Sequence, residues 1–320
     1  MKHTNLWNGL GAATQALLGQ ASEAIGASTV GTQSVAYVLL DGKEANPLTG
    51  TDARLRPVPD IYFSGEPWLA PQLLPLNLPD DVFLLQDALA AAALSASQRM
   101  QVQPVAAVVI AGPDVSMLLM HLAGLGLQYD PVNAEEPARL FRYQDPRVMQ
   151  RVWPRLSEPQ RRAWLGPVLR WYAIEQPTGS LPADAVELVV WQAGPAPRDD
   201  AAHPRLHHLF DERQWRLAHG APAENAFWLY AAADREALAT ARVLPDLATL
   251  RQWLAEAGRH GLHADDQTGW ALCRWATSFD EWTSPSGQAR MHRALGLQQE
   301  HAGLGFADAW HTAGRRAKPA

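Results

Sequence analysis

The 320-residue chain has one cysteine, lysine only at Lys2, Lys43 and Lys318, and no long apolar run. The lone Cys273 cannot form an internal disulfide, which fits a reducing, cytoplasmic setting. No stretch approaches the ~20 apolar residues that a membrane-spanning helix needs, so no membrane association is expected. The opening residues MKHTNLWNGLGAATQALLGQ lack a basic start followed by an unbroken apolar core, so they do not read as a secretion signal. Basic excess is missing too. Lys plus Arg number 27 against 33 Asp plus Glu, for a net charge of −6. That balance argues against a dedicated nucleic-acid protein.

Chemistry-bearing motifs are also scarce. There is no Gly-x-Ser-x-Gly elbow, no HExxH and no Walker-type or dinucleotide glycine loop. Gly124-x-Gly126 follows a helix pattern instead of joining a strand to one, so it cannot cradle phosphate in the usual way. His203-x-x-x-His207-His208 and His260-x-x-His263 have spacings that a metal could use. They lack cysteine partners and sit beside Asp199 and Asp265, which read as turn or cap residues. Cys273 lies among apolar residues of a helix pattern and reads as a buried structural thiol. No catalytic residue, metal or cofactor is assigned, and a non-enzymatic role is expected. The alternatives left open are a hydrolase whose site is invisible in sequence, and a nucleic-acid binder.

What the chain does hold is concentrated in ARLFRYQDPRVMQRVWPRLSEPQRRAWLGPV, residues 138–168. Ala138–Tyr143 reads as a strand. Asp145 is placed to cap a helix whose first position is Pro146, where the missing N–H costs nothing. Pro154 must end or kink that helix, Ser157 with Pro159 restarts it, and Gly166-Pro167 closes it. Arg147, Arg151 and Arg155 recur every four residues on one face, with Arg161 and Arg162 following. The stripe reads as a solvated face, an acidic-protein contact or, last, a nucleic-acid contact. Tryptophan is abundant, at 13 residues. Most should be core, and Trp282, in the loop-like run Asp280–Thr283, is expected to be exposed. Trp282 and the five arginines are therefore the candidate partner-binding residues.

The run LFRYQDPRVMQRVWPRL followed by RRAWLGPVLRWY resembles the signature of the adaptor chaperones of type VI secretion effectors. Two earlier segments agree in order and spacing: AYVLLDG at 36–42 and PDIYFSGEPWLAPQLLPL at 59–76. The similarity covers roughly residues 35–175. It implies a cytoplasmic adaptor that binds a cognate effector toxin and loads it onto the VgrG spike protein, directly or through a PAAR tip protein.

Periodicity around these segments predicts strands at 35–40, 61–63, 69–74, 105–111, 169–174 and 185–191. Helices are predicted from Asp87 to about Met100 and over 115–125. Asp41-Gly42 is read as a turn, because Asp bonds its own following backbone. Beyond the Pro/Gly-rich run Gly194–Pro197 the pattern is helical, with helices near 211–218, 222–241, 246–258, 265–275, 289–301 and 306–313, and Thr283–Gly287 reads as a loop. The expected fold is α+β. A leader occupies 1–33 and an α/β lobe with a mixed sheet flanked by helices occupies 34–197. An all-α lobe follows at 198–313, then a flexible tail at 314–320.

Overall fold

Two apolar runs, VAYVLL and VAAVVIA, form the centre of a six-stranded sheet in the computed structural model. The structure describes the chain apart from residues 1–5, 30–31, 98–102, 134, 176–185, 193–204, 239–244, 302 and 316–320. The strands are β1 (Val35–Leu40), β2 (Arg56–Pro57), β3 (Gln72–Leu76), β4 (Val105–Ala111), β7 (Val168–Glu175) and β8 (Glu187–Trp191). A separate two-stranded ribbon joins β5 (Leu127–Gln128) to β6 (Arg139–Leu140). The large sheet runs β2-β3-β1-β4-β7-β8.

Every pairing in it is antiparallel, so the expectation of a mixed sheet is corrected. The reason lies in one crossover. β3, the helix α2 (Val82–Ser97) and β4 make a strand–helix–strand unit of the kind that lays two strands parallel. β1 inserts between those two strands and turns both contacts antiparallel. The α+β class itself holds.

Both faces of the sheet are covered, and that is why its central strands are apolar runs without alternation. One face carries Val38, Leu40, Leu74, Val108, Ile110 and Tyr172 against α2 and α1 (Ala12–Thr29). Leu18 and Ile25 of α1 are fully buried in that core. The segment expected to be a leader is thus part of the fold, and the core begins well before Val35. The sequence hid this because α1 presents only Leu18, Ala21, Ser22 and Ile25 inward, on an otherwise Gly- and polar-rich helix.

The other face holds Trp171 and Trp191, which pack with Trp164 at ring-centroid distances of 4.6 and 5.5 Å. Trp164 comes from α5 (Glu158–Leu165), and α4 (Pro146–Val152) precedes it. These two helices follow their sequence signals closely. Asp145 accepts from the Arg147 N–H, Pro154 sits in a 3-10 turn just past α4, and Ser157 forms a capping box with Gln160. Of the expected strand 138–143, only β6 pairs. Residues 61–63 form a 3-10 turn capped by Asp60. α2 starts five residues before Asp87, behind Asp80-Asp81, and α3 spans Val115–Leu125 as expected.

The chain divides into two compact units, residues 1–218 and 219–320. The expected junction at 194–197 lies outside the described residues. The division falls later, because residues 206–215 pack with the first unit. Leu206 O accepts from Gln128, and Gln214 bonds to Gln160. It also falls within α6 (Glu212–Leu238), which runs as one helix through Gly220 and Pro222, where two helices were expected.

The second unit contains α7 (Leu247–Arg259), α8 (Ala264–Ala276), α9 (Phe279–Thr283), α10 (Pro285–Glu300) and α11 (Phe306–Arg315). Asp246 caps α7 as read. The cap position of α8 is His263, with Asp265 in the first turn, where its charge favours the helix dipole. The expected loop 283–287 instead holds the last residue of α9, the cap Ser284 and the start of α10. Ser284 accepts from the Gly287 N–H, and Pro285 takes the first helical position.

Trp282 is corrected outright, being only 2% exposed. Its ring stacks on Trp310 at 4.8 Å and meets Trp270 edge-on at 5.3 Å. The short helix α9, capped by Ser278, turns it inward. Trp282→Ala is accordingly expected to cost ~3–5 kcal/mol, the range for truncating a buried aromatic. Urea unfolding monitored by circular dichroism measures it. A change below ~0.5 kcal/mol would mean a surface tryptophan instead.

Candidate functional site

Asp41 is the point where distant parts of the sequence meet. It ends β1, and its side chain is 3% exposed. One carboxylate oxygen accepts from the Lys43 N–H, which is the turn bond the sequence implied. The other accepts from Arg142 Nη2 at 2.7 Å, across 101 residues. Asp145 lies next in line, 3.9 Å from the same guanidinium nitrogen. It takes two bonds from the Arg147 guanidinium, at 2.9 and 2.7 Å. Asp145 is almost wholly buried, which by itself would raise its carboxyl. The Arg147 bonds and the charges of Arg147 and Arg142 outweigh that and hold it below the usual carboxylate range.

Gly42 then runs against the backbone of the 67–70 turn, where a Cβ would fall 1.9 Å from the Ala70 carbonyl oxygen. Tyr62 closes the ring of contacts by donating its hydroxyl to the Ala138 carbonyl. The segments 36–42, 59–76 and 138–148 therefore form one spatial cluster. Side-chain partnerships of this range leave no periodic trace in a sequence.

The first unit also contains a groove of about 620 Å³. Pro57, Pro59, Ile61 and Phe63 form one wall, and Met120 and Ala123 of α3 with Leu127 of β5 form the other. Gly124 lets the 206–208 turn close against α3, since a Cβ there would sit 2.6 Å from Leu206 Cδ2. Ile61 and Met120 are 67% and 66% exposed. Large apolar side chains this open, lining one groove, are the usual mark of a contact surface.

The groove's polar groups are few. His207 lines it and places Nδ1 3.1 Å from the Leu127 carbonyl oxygen. Asp60 lines it as well, using Oδ1 to accept from the Tyr62 N–H. Partial burial raises the Asp60 carboxyl above its ordinary range, against the pull of that bond and of Lys43.

The arginine stripe is distributed differently from its sequence reading. Arg147 is committed to Asp145 and Arg151 is buried at 9% exposure. Arg161 lies over the Trp153 ring at 5.5 Å, and Arg162 pairs with Glu158 at 3.3 Å. Arg155 is exposed. The i, i+4 spacing gave a common helix face, but that face turns partly into the fold and ends at the Pro154 turn.

The histidines with metal-like spacing have other contacts or lie outside the described residues. His260 packs on Trp270 at 5.0 Å, His263 starts α8, and His203 lies outside the described residues. Among the described residues no group of three or more His, Cys, Asp or Glu is arranged to hold a metal. Cys273 is buried as expected, and burial pushes its thiol up to about 12. Among the described residues no helix is long and apolar enough to cross a membrane. The groove was the element the sequence reading missed. Its only trace there was the apolar and proline-rich composition of 57–67, which equally suits a loop. No protein-family model, curated protein or solved structure matches the chain.

Proposed function

We propose that the chain is an adaptor chaperone that holds a cognate type VI effector toxin in the cytoplasm and passes it to the VgrG spike, directly or through a PAAR tip. The observation that carries this reading is the convergence of the three resembling segments. They lie far apart in sequence, yet they lock together through Asp41, Arg142 and Tyr62. The middle segment supplies a wall of the exposed apolar groove. The physical task is to keep apolar effector surface out of water until docking, and that requires apolar contact area, not bond-making chemistry.

Co-expression of the tagged chain with the toxin and VgrG encoded in neighbouring genes tests the proposal. The toxin is expected to co-elute with the chain in size-exclusion chromatography and to aggregate when expressed alone. A monodisperse chain that retains neither toxin nor spike protein overturns it.

A further inference from the structure

We infer that the 57–67/α3 groove takes an apolar segment of a partner protein that carries one basic side chain, arginine or lysine, opposite Asp60. The inference rests on the adaptor reading and names the chemistry of the cargo.

The groove's walls call for apolar side chains, and one carboxylate interrupts them. Asp60 Oδ1 is occupied by the Tyr62 N–H, while no hydrogen bond to Oδ2 is found among the described residues. The groups around it do not complete it. Lys43 lies on the Phe63 ring, its Nζ 5.2 Å from the centroid, and makes no ion pair within 4.0 Å of Asp60. His207 faces the Leu127 carbonyl oxygen. Tyr143, close enough for its buried hydroxyl to sense the Asp60 charge, has no hydrogen-bond partner among the described residues. A wholly apolar occupant would strip water from the Asp60 carboxylate and return nothing, a loss that burying an unpaired charge always carries. An occupant with one guanidinium or ammonium group at that point replaces the lost water with a charge-assisted bond. An acidic segment is rejected by like charge. The same carboxylate disfavours an anionic bilayer surface, where cations should flank the apolar side chains.

The test uses the full chain and three dye-labelled, end-blocked peptides, Ser-Gly-Leu-Ile-X-Leu-Ile-Gly-Ser, with X arginine, glutamine or glutamate. Fluorescence anisotropy is expected to show the arginine peptide bound about tenfold tighter than the glutamine one, the worth of one charge-assisted bond. The glutamate peptide should bind weakest. Asp60→Asn keeps the cap on the Tyr62 N–H and should bring the arginine and glutamine peptides within about twofold of each other. Met120→Asp should abolish binding of all three while the melting curve is retained.

Equal affinity for the three peptides, no binding at all, or an arginine preference that survives Asp60→Asn would each overturn the inference. So would capture of phosphatidylglycerol vesicles, or self-association in sedimentation, that Met120→Asp removes. If the toxin co-purifies undiminished with both variants, the groove inference falls and the adaptor reading stands. If the peptides bind as expected and the chain retains neither toxin nor VgrG, the adaptor reading falls.

Discussion

Gly42→Ala is expected to destabilise the first unit by more than ~3 kcal/mol, the scale of a core clash that only backbone movement can relieve. The Cβ would lie 1.9 Å from the Ala70 carbonyl oxygen and 2.6 Å from that of Trp68. Both obstacles are backbone atoms, so no rotamer change helps. Relief means separating the end of β1 from the turn that leads into β3, and with it the seat of Asp41. Groove binding should fall alongside stability. Urea unfolding gives the measurement, with a lower midpoint and an unchanged slope marking a true loss of stability. Gly26→Ala in α1 is the control, because among the described residues nothing would lie within 4 Å of its Cβ. It should be neutral or stabilise by up to ~1 kcal/mol. If the two substitutions behave alike, the close approach at Gly42 is wrong.

Glu175→Gln should have the opposite effect and stabilise the protein, increasingly so as pH rises. Glu175 is buried at the end of β7, directly across from Glu187 on β8. Among the described residues its Oε1 has no hydrogen-bond partner. Burial first, and the Glu187 charge second, push its carboxyl up to about 8. The folded state therefore holds a proton that the unfolded chain releases near the ordinary glutamate value of ~4.3. Between those two values the folded state binds more protons than the unfolded state, so stability falls as pH rises through that window. A neutral glutamine removes the dependence. The gain is expected to be on the order of 2–3 kcal/mol at pH 7 and near zero at pH 4. Unfolding free energies of both proteins across pH 4–8.5 check it. Parallel profiles would show that Glu175 stays ionised in the folded state.

The capping signals of 145–166 were legible because each acts within one helical turn. Asp145, Pro146, Pro154 and Ser157 meet their partners within four residues. The runs of β1 and β4 were legible because a sheet covered on both faces needs apolar residues at every position. Trp282 misled because the residues around it are polar, while its own side chain turns inward from a five-residue helix. The arginine stripe misled in a related way. Spacing placed the arginines on one face, but Asp145, Glu158 and Trp153 occupy Arg147, Arg162 and Arg161. Helix α1 was underestimated because only four of its residues are buried, too few for a clear apolar face.

By itself, then, the sequence determined the α+β class, the central strands, the caps of α4, α5 and α7 and the burial of Cys273, since each follows from neighbours along the chain. Tertiary structure alone decided that β1 separates β3 from β4, that Asp41 meets Arg142, and that 57–67 faces α3 across an apolar groove. Those features depend on which distant surfaces exclude water from each other, and no local pattern of residues records that choice.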